Sequence, residues 1–190
     1  MPDSRLRPVN TEADIDPMWR DTPIGDLLRY HNLGITPRSY DRAELLIAMC
    51  MDNRQALHLP DNFAYILRAG AGNLRRMQFK FSFAIAIGGV TAIAIIGHSD
   101  CRMNRLGDRR SLFIEGLVRN GGWDAVTAAR HFDEHVAEFQ IADTITFAED
   151  EAARLRGVYP RIIVAPLFFT VEDGQLHQLS PLSIVPAQTP

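Results

Sequence analysis

Three stretches of the chain are apolar almost without interruption: ELLIAMCM (Glu44 to Met51), VTAIAII (Val90 to Ile96) and RIIVAPLFF (Arg161 to Phe169). Runs that do not alternate predict strands covered on both faces, as in a parallel sheet. FAYILR (Phe63 to Arg68) predicts a further strand, and GQLHQL, after the turn residues EDG, a short edge strand joined by a hairpin. Between them the apolar residues change to helical spacing. Leu74 to Ile87 predicts a helix closed by Gly88 and Gly89, Trp123 to Phe139 one with Asp124 near its start, and Thr144 to Arg156 one ending before Gly157 and Pro160. A shorter helix is expected around Ile24, Leu27 and Leu28. Strands alternating with helices predict an α/β fold: a mainly parallel central sheet of about four strands plus an edge strand, with helices on its faces. In such sheets ligands bind outside the C-terminal ends of the strands.

Composition narrows the picture. A chain of 190 residues suits one domain. Residues 1–22, rich in Pro, Asp and Arg, predict an N-terminal arm; residues 23–180 predict the folded domain; residues 181–190, with three prolines, predict a surface tail. The mixture of 46% hydrophobic and 23% charged residues is that of a globular protein. A net charge of −3 argues against a nucleic-acid or anionic-lipid partner. The longest apolar run, Ala84 to Ile96, is broken by Gly88 and Gly89 and falls short of the roughly 20 residues of a membrane span. The polar, mixed-charge start MPDSRLRPVNTEADIDP lacks the apolar core of a signal peptide, so a cytoplasmic address is expected.

Two polar clusters stand where buried strands end. CMDNR (Cys50 to Arg54) lies at the end of ELLIAMCM, and GHSDCRM (Gly97 to Met103) follows VTAIAII. His98-x-x-Cys101 puts two metal-binding side chains on one loop, and Cys50 at a neighbouring strand tip completes a Cys₂His set. Zinc accepts such ligands, and three protein ligands leave one position open for water. Taken singly, a buried Cys is an ordinary core residue. Their joint placement, with Asp52 and Arg54 two residues apart and able to pair, points to a catalytic metal.

With these motifs the chain resembles the β-class carbonic anhydrases, from about residue 20 to residue 180. The family signature is Cys-x-Asp-x-Arg, then an Arg-containing Ala-Gly loop, then Gly-His-x-x-Cys. Here these are Cys50-Met51-Asp52-Asn53-Arg54, Arg68-Ala69-Gly70-Ala71-Gly72-Asn73 and Gly97-His98-Ser99-Asp100-Cys101. The resemblance implies one Zn²⁺ per chain held by Cys50, His98 and Cys101. It makes Asp52 and Arg54 a catalytic dyad beside the open position, and it implies attack of zinc hydroxide on carbon dioxide to give bicarbonate. It also implies a homodimer or homotetramer with the N-terminal segment over a neighbouring subunit. In some family members the Asp itself occupies the fourth position in an inactive resting state.

Elementary chemistry gives these residues work. Two thiolates cancel the formal charge of Zn²⁺, so the metal acidifies water less than a three-histidine site does. Asp52 can orient the water, and the Arg54 fork can hold Asp52 ionised and off the metal. The glycines of Gly70, Ala71 and Gly72 allow backbone N–H groups to approach bicarbonate, although the same loop also reads as a plain strand-to-helix turn. The sequence departs from the family in this loop, which usually reads Arg-Asn-Ala-Gly, and in Arg102, where Gly is common. Arg102 reads as pointing to solvent. Relatives that hydrolyse carbonyl sulfide or carbon disulfide share the motifs, and a closed, bicarbonate-binding homologue is a non-enzymatic alternative.

HFDEH (His131 to His135) fits a metalloprotease pattern but sits in a segment that reads as an amphipathic helix with a solvated face. GAGN lacks the Gly-Lys-Ser/Thr of a phosphate-binding loop. His31 and His58 are titratable near neutrality and so are proton-shuttle candidates, though each reads more simply as a surface or loop histidine.

Overall fold

The uninterrupted apolar runs form the inner strands of a six-stranded sheet in the computed structural model, which describes residues 3–179. In chain order its strands are β1 (Leu6–Arg7), β2 (Leu45–Cys50), β3 (Ala64–Ala69), β4 (Ala92–His98), β5 (Ile163–Thr170) and β6 (Gln175–Leu179). The spatial order is β1-β6-β5-β4-β2-β3. Strands β3, β2, β4 and β5 run parallel; β6 returns antiparallel to β5, and β1 pairs antiparallel with β6. Every residue of β2 and of β4 is buried, which is why neither alternates in sequence.

Both faces of the sheet are covered. Leu46, Ala48, Ile93 and Ile95 pack with Phe81 and Ala84 of α2 (Gln78–Ala86) and with Ala148, Ala152 and Leu155 of α5 (Thr144–Val158). On the other face, Leu45, Ile47, Met49, Ala94 and Ile96 pack with Leu27 and Leu28 of α1 (Pro23–Asn32). Thr22 caps α1 by accepting from the Ile24 N–H, and Pro23 occupies the first turn, where its missing N–H costs nothing. Two further helices, α3 (Arg110–Gly121) and α4 (Ala125–Phe139), form an antiparallel pair beyond β4; Asp124 caps α4 by accepting from Thr127.

The segment expected as an arm contributes to the core of its own chain. Val9, Ile15 and Trp19 are buried against α1 and the sheet, and Leu6–Arg7 adds a strand to the outer side of β6. The helix expected over Leu74 to Ile87 begins as a 3₁₀ turn at Arg75–Met77 before α2. Helix α3 has no counterpart in the sequence pattern. Its Phe113, Ile114 and Leu117 are only half-buried, Leu112 and Val118 are exposed, and none of its residues is fully buried. The tail expected at 181–190 lies outside the described residues. Among the described residues no helix is long and apolar enough to cross a membrane.

Candidate metal centre

The chain leaves β2 toward β3 on one side and returns to β4 on the other, so the strand order reverses between β2 and β4. This is the crevice where α/β sheets bind ligands. Cys50 ends β2 and His98 ends β4. The ligand atoms of Cys50, His98 and Cys101 lie within 4.8 Å of one another, and all three residues are buried. Gly97 allows this approach: a Cβ there would stand 2.7 Å from the Thr144 carbonyl oxygen at the start of α5. The Thr144 hydroxyl donates to the His98 carbonyl at 3.1 Å, fixing the strand end.

The donor atoms fit a metal. His98 Nδ1 donates to the Ser99 carbonyl at 2.8 Å, which leaves Nε2 with its lone pair; that atom is buried and has no hydrogen-bond partner. The Cys50 thiol is drawn down, first by its bond from Cys101 and then, against burial, by the N–H groups of Asp52 and Ala71. The Cys101 proton is held above the usual thiol range by the same bond to Cys50, by burial and by the Cys50 charge. The two sulfurs therefore share one proton, and a dication between them would displace it.

Around this cluster Asp52 and Arg54 form the expected pair. Arg54 Nε donates to Asp52 Oδ1 at 3.0 Å and Nη2 to Oδ2 at 2.7 Å. This pairing holds the Asp52 carboxyl far below the usual carboxylate range. Cys50, Asp52, Arg54, Cys101, Arg102 and Met103 line a cleft of about 470 Å³. Arg102 is exposed at its edge. Gly70, Ala71 and Gly72 form a buried 3₁₀ turn in which Ala71 has φ 56°, and the Ala71 N–H is directed at the Cys50 sulfur. Gly70 faces Met103, whose Cε would lie 2.8 Å from an added Cβ.

Other groups at the site were not legible as participants. Arg68 clamps the β2 loop, donating to the carbonyls of Cys50 (2.9 Å), Asp52 (3.2 Å) and Gln55 (2.8 Å). Its place in the RAGAGN motif was the only available signal. Asp100 accepts from Arg54 Nη1 at 2.8 Å, which nothing in the sequence marks. The two shuttle candidates stand apart from the cleft lining: His31 is buried, its Nε2 donating to Gly174 O and its Nδ1 accepting from the His58 N–H. Burial lowers its pKa. His131 and His135 sit on α4 with ring centroids 4.5 Å apart, and His135 Nδ1 donates to the His131 carbonyl. Among the described residues Cys50, His98 and Cys101 are the one metal-capable group of three, so the protease pattern has no third ligand.

No family model matches the sequence, and no curated protein matches it. Solved structures do. A β-carbonic anhydrase, isoform I from Trichomonas vaginalis, superposes with a TM-score of 0.62 at 14% identity, over 88% of this chain and 100% of that one. The fold is that of the β-carbonic anhydrases. A carbonic anhydrase from Glaciozyma antarctica shares it with a TM-score of 0.58 at 18% identity, over 87% of this chain and all of its own. The apo form of carbon disulfide hydrolase reaches 0.50 at 17% identity, over 75% of this chain and 81% of its own. Within this β-carbonic-anhydrase fold, the Cys50, His98 and Cys101 cluster occupies the β2/β4 crevice.

Proposed function

We propose that this chain is a zinc-dependent carbonic anhydrase that interconverts carbon dioxide and bicarbonate, with one Zn²⁺ held by Cys50, His98 and Cys101. The observation that carries the proposal is the unpartnered, buried Nε2 of His98 beside two sulfurs, with an ionised carboxylate held next to them by an arginine. When bound, zinc would lower the pKa of its water, though less than at a three-histidine site, and so would supply a nucleophilic oxygen. Asp52 would accept a hydrogen bond from that water and aim its lone pair; Arg54 keeps Asp52 charged and turned away from the ligand cluster. Ala71 N–H and Asp52 N–H stabilise the Cys50 thiolate, and the Gly70–Gly72 turn borders the substrate. The catalytic unit in this reading is residues 23–180 together with the preceding segment, whose Val9, Ile15 and Trp19 pack into its core. The Asp52–Arg54 pairing favours an enzyme over a closed bicarbonate-binding homologue.

One observation favours a second reading, hydrolysis of carbon disulfide or carbonyl sulfide at the same centre. An apolar cavity of about 510 Å³, lined by Phe113, Phe132, Val136 and Phe139, shares Met51 and Met103 with the metal cleft. An uncharged, poorly hydrated substrate suits such a wall. We further propose a homodimer or homotetramer. Strand β3 ends the sheet with Tyr65 and Ile66 exposed, beside Phe79 and Ile87 at 81% and 73% exposure. Such an apolar patch at an open sheet edge supports burial by another copy.

Stopped-flow hydration of carbon dioxide on protein of known zinc content, with Cys50→Ser as control, tests the main reading. Fast hydration that disappears in Cys50→Ser is expected. Stoichiometric zinc without hydration, together with turnover of carbon disulfide or carbonyl sulfide, would replace it by the second.

A further inference from the structure

Arg54 is gripped from two loops. Its Nε and Nη2 reach Asp52, while its Nη1 donates to Asp100 Oδ2 at 2.8 Å and its Nη2 to the Asp100 carbonyl at 3.2 Å. Asp52 and Arg54 belong to the same loop after β2, so by themselves they can move as one body. Asp100 belongs to the loop after β4, between His98 and Cys101. Among the described residues, the bonds from Arg54 to Asp100 are the side-chain hydrogen bonds that tie the Asp52–Arg54 pair to that second loop.

The geometry is specific. Asp100 has φ 54°, a left-handed conformation that few side chains adopt and that Asp and Asn tolerate best. Its side chain is 67% exposed, so the ion pair adds little to stability. What it supplies is orientation. A planar guanidinium held at both ends by carboxylates from different loops cannot rotate about its own stem.

We propose that Asp100 is a positioning residue. Acting through Arg54, it keeps the Asp52 carboxylate out of the space between Cys50, His98 and Cys101, and so keeps the fourth metal position open to water and small anions. This rests on the metal-centre reading above. Without Asp100, the Asp52–Arg54 pair is released from the β4 loop, and Asp52 can join the ligand cluster and exclude other ligands.

Asp100→Asn and Asp100→Gly both keep a residue suited to positive φ, so the fold and the metal content are retained. The test uses the cobalt(II)-substituted protein, titrated with azide and followed by its visible spectrum. Removing a negative charge near the metal would, by Coulomb attraction alone, tighten azide binding. Positioning predicts the opposite: azide binds about tenfold more weakly to both variants, at the low end of the effect of lost metal-site partners. In an Arg54→Ala background, Asp100→Asn has no further effect, because the link is already gone. Azide binding equal to or tighter than wild type in the single variants, an undiminished effect in the Arg54→Ala background, or a wild-type spectrum that azide leaves unchanged would overturn the proposal. The zinc enzyme separates this from the proposed activity. Absence of carbon dioxide hydration by the wild type would remove that activity while leaving the azide comparison decisive for Asp100.

Discussion

At the scale of single residues, the site is an arrangement of charges that must stay in fixed states. Arg54 holds the Asp52 carboxyl below its ordinary value, so its folded-state pKa lies below the unfolded one. The stabilisation is fully present above the ordinary carboxylate pKa of about 4 and is lost only as pH falls through the folded value. Carboxylate NMR is therefore expected to show Asp52 ionised throughout the neutral range, with no titration step between about pH 5 and 9. Replacing Asp52 by Asn should leave zinc bound and lower turnover by tenfold to about a hundredfold, as for other lost metal-site partners. Metal analysis beside stopped-flow rates measures both, and full activity would remove Asp52 from the mechanism. Gly97→Ala places a methyl group 2.7 Å from backbone at Thr144 and should cost about 1–3 kcal/mol in denaturant unfolding. The proposed ligands were legible because Cys50, His98 and Cys101 sit in short motifs at strand ends. Asp100 was not, since its role depends on a guanidinium that reaches it from another loop.

At the scale of elements, burial decided what could be read. Strands β2, β4 and β5 announced themselves because both their faces are covered, and α4 and α5 through their spacing and capping aspartates. Strand β1 is two residues long, too short for a period, and α3 has no fully buried residue to mark it as a core helix. Helix α5 is tied to the chain before α2 by Glu151, which is 1% exposed and accepts from Arg154 at 2.6 Å and from Arg75 at 2.9 Å. Burial disfavours its charge, but the two arginines outweigh it and its carboxyl sits below the ordinary value. This contribution too is complete above the unfolded pKa and fades as pH falls through the folded one. Glu151→Gln should destabilise the protein by about 1.5–3 kcal/mol, the range for hydrogen bonds to charged groups. Urea unfolding at neutral pH reads the difference directly, and an unchanged midpoint would show that the clamp is idle.

At the scale of the whole molecule, the proposed function gives two surfaces an occupant, one a metal and one another copy. Stripping zinc with a chelator should lower thermal stability, because binding to the folded state adds about 2.7 kcal/mol at a hundredfold excess over Kd. Calorimetry with and without added zinc reports it, and identical transitions would argue against a metal site. Phe79→Glu puts a charge on the most exposed aromatic of the β3/α2 patch. Light scattering should show smaller assemblies than the wild type; an unchanged mass would place the contact elsewhere. The sequence by itself determined the α/β class, the order of strands β2 to β6 along the chain and the residues with metal-binding chemistry, because burial on both faces and short contiguous motifs leave local marks. Only the tertiary structure decided that residues from the β2 and β4 loops meet within 4.8 Å, that Asp100 reaches Arg54, and that Val9, Ile15 and Trp19 belong to the core. Those contacts join positions far apart in the chain, and a pattern read along the chain carries no distance across it.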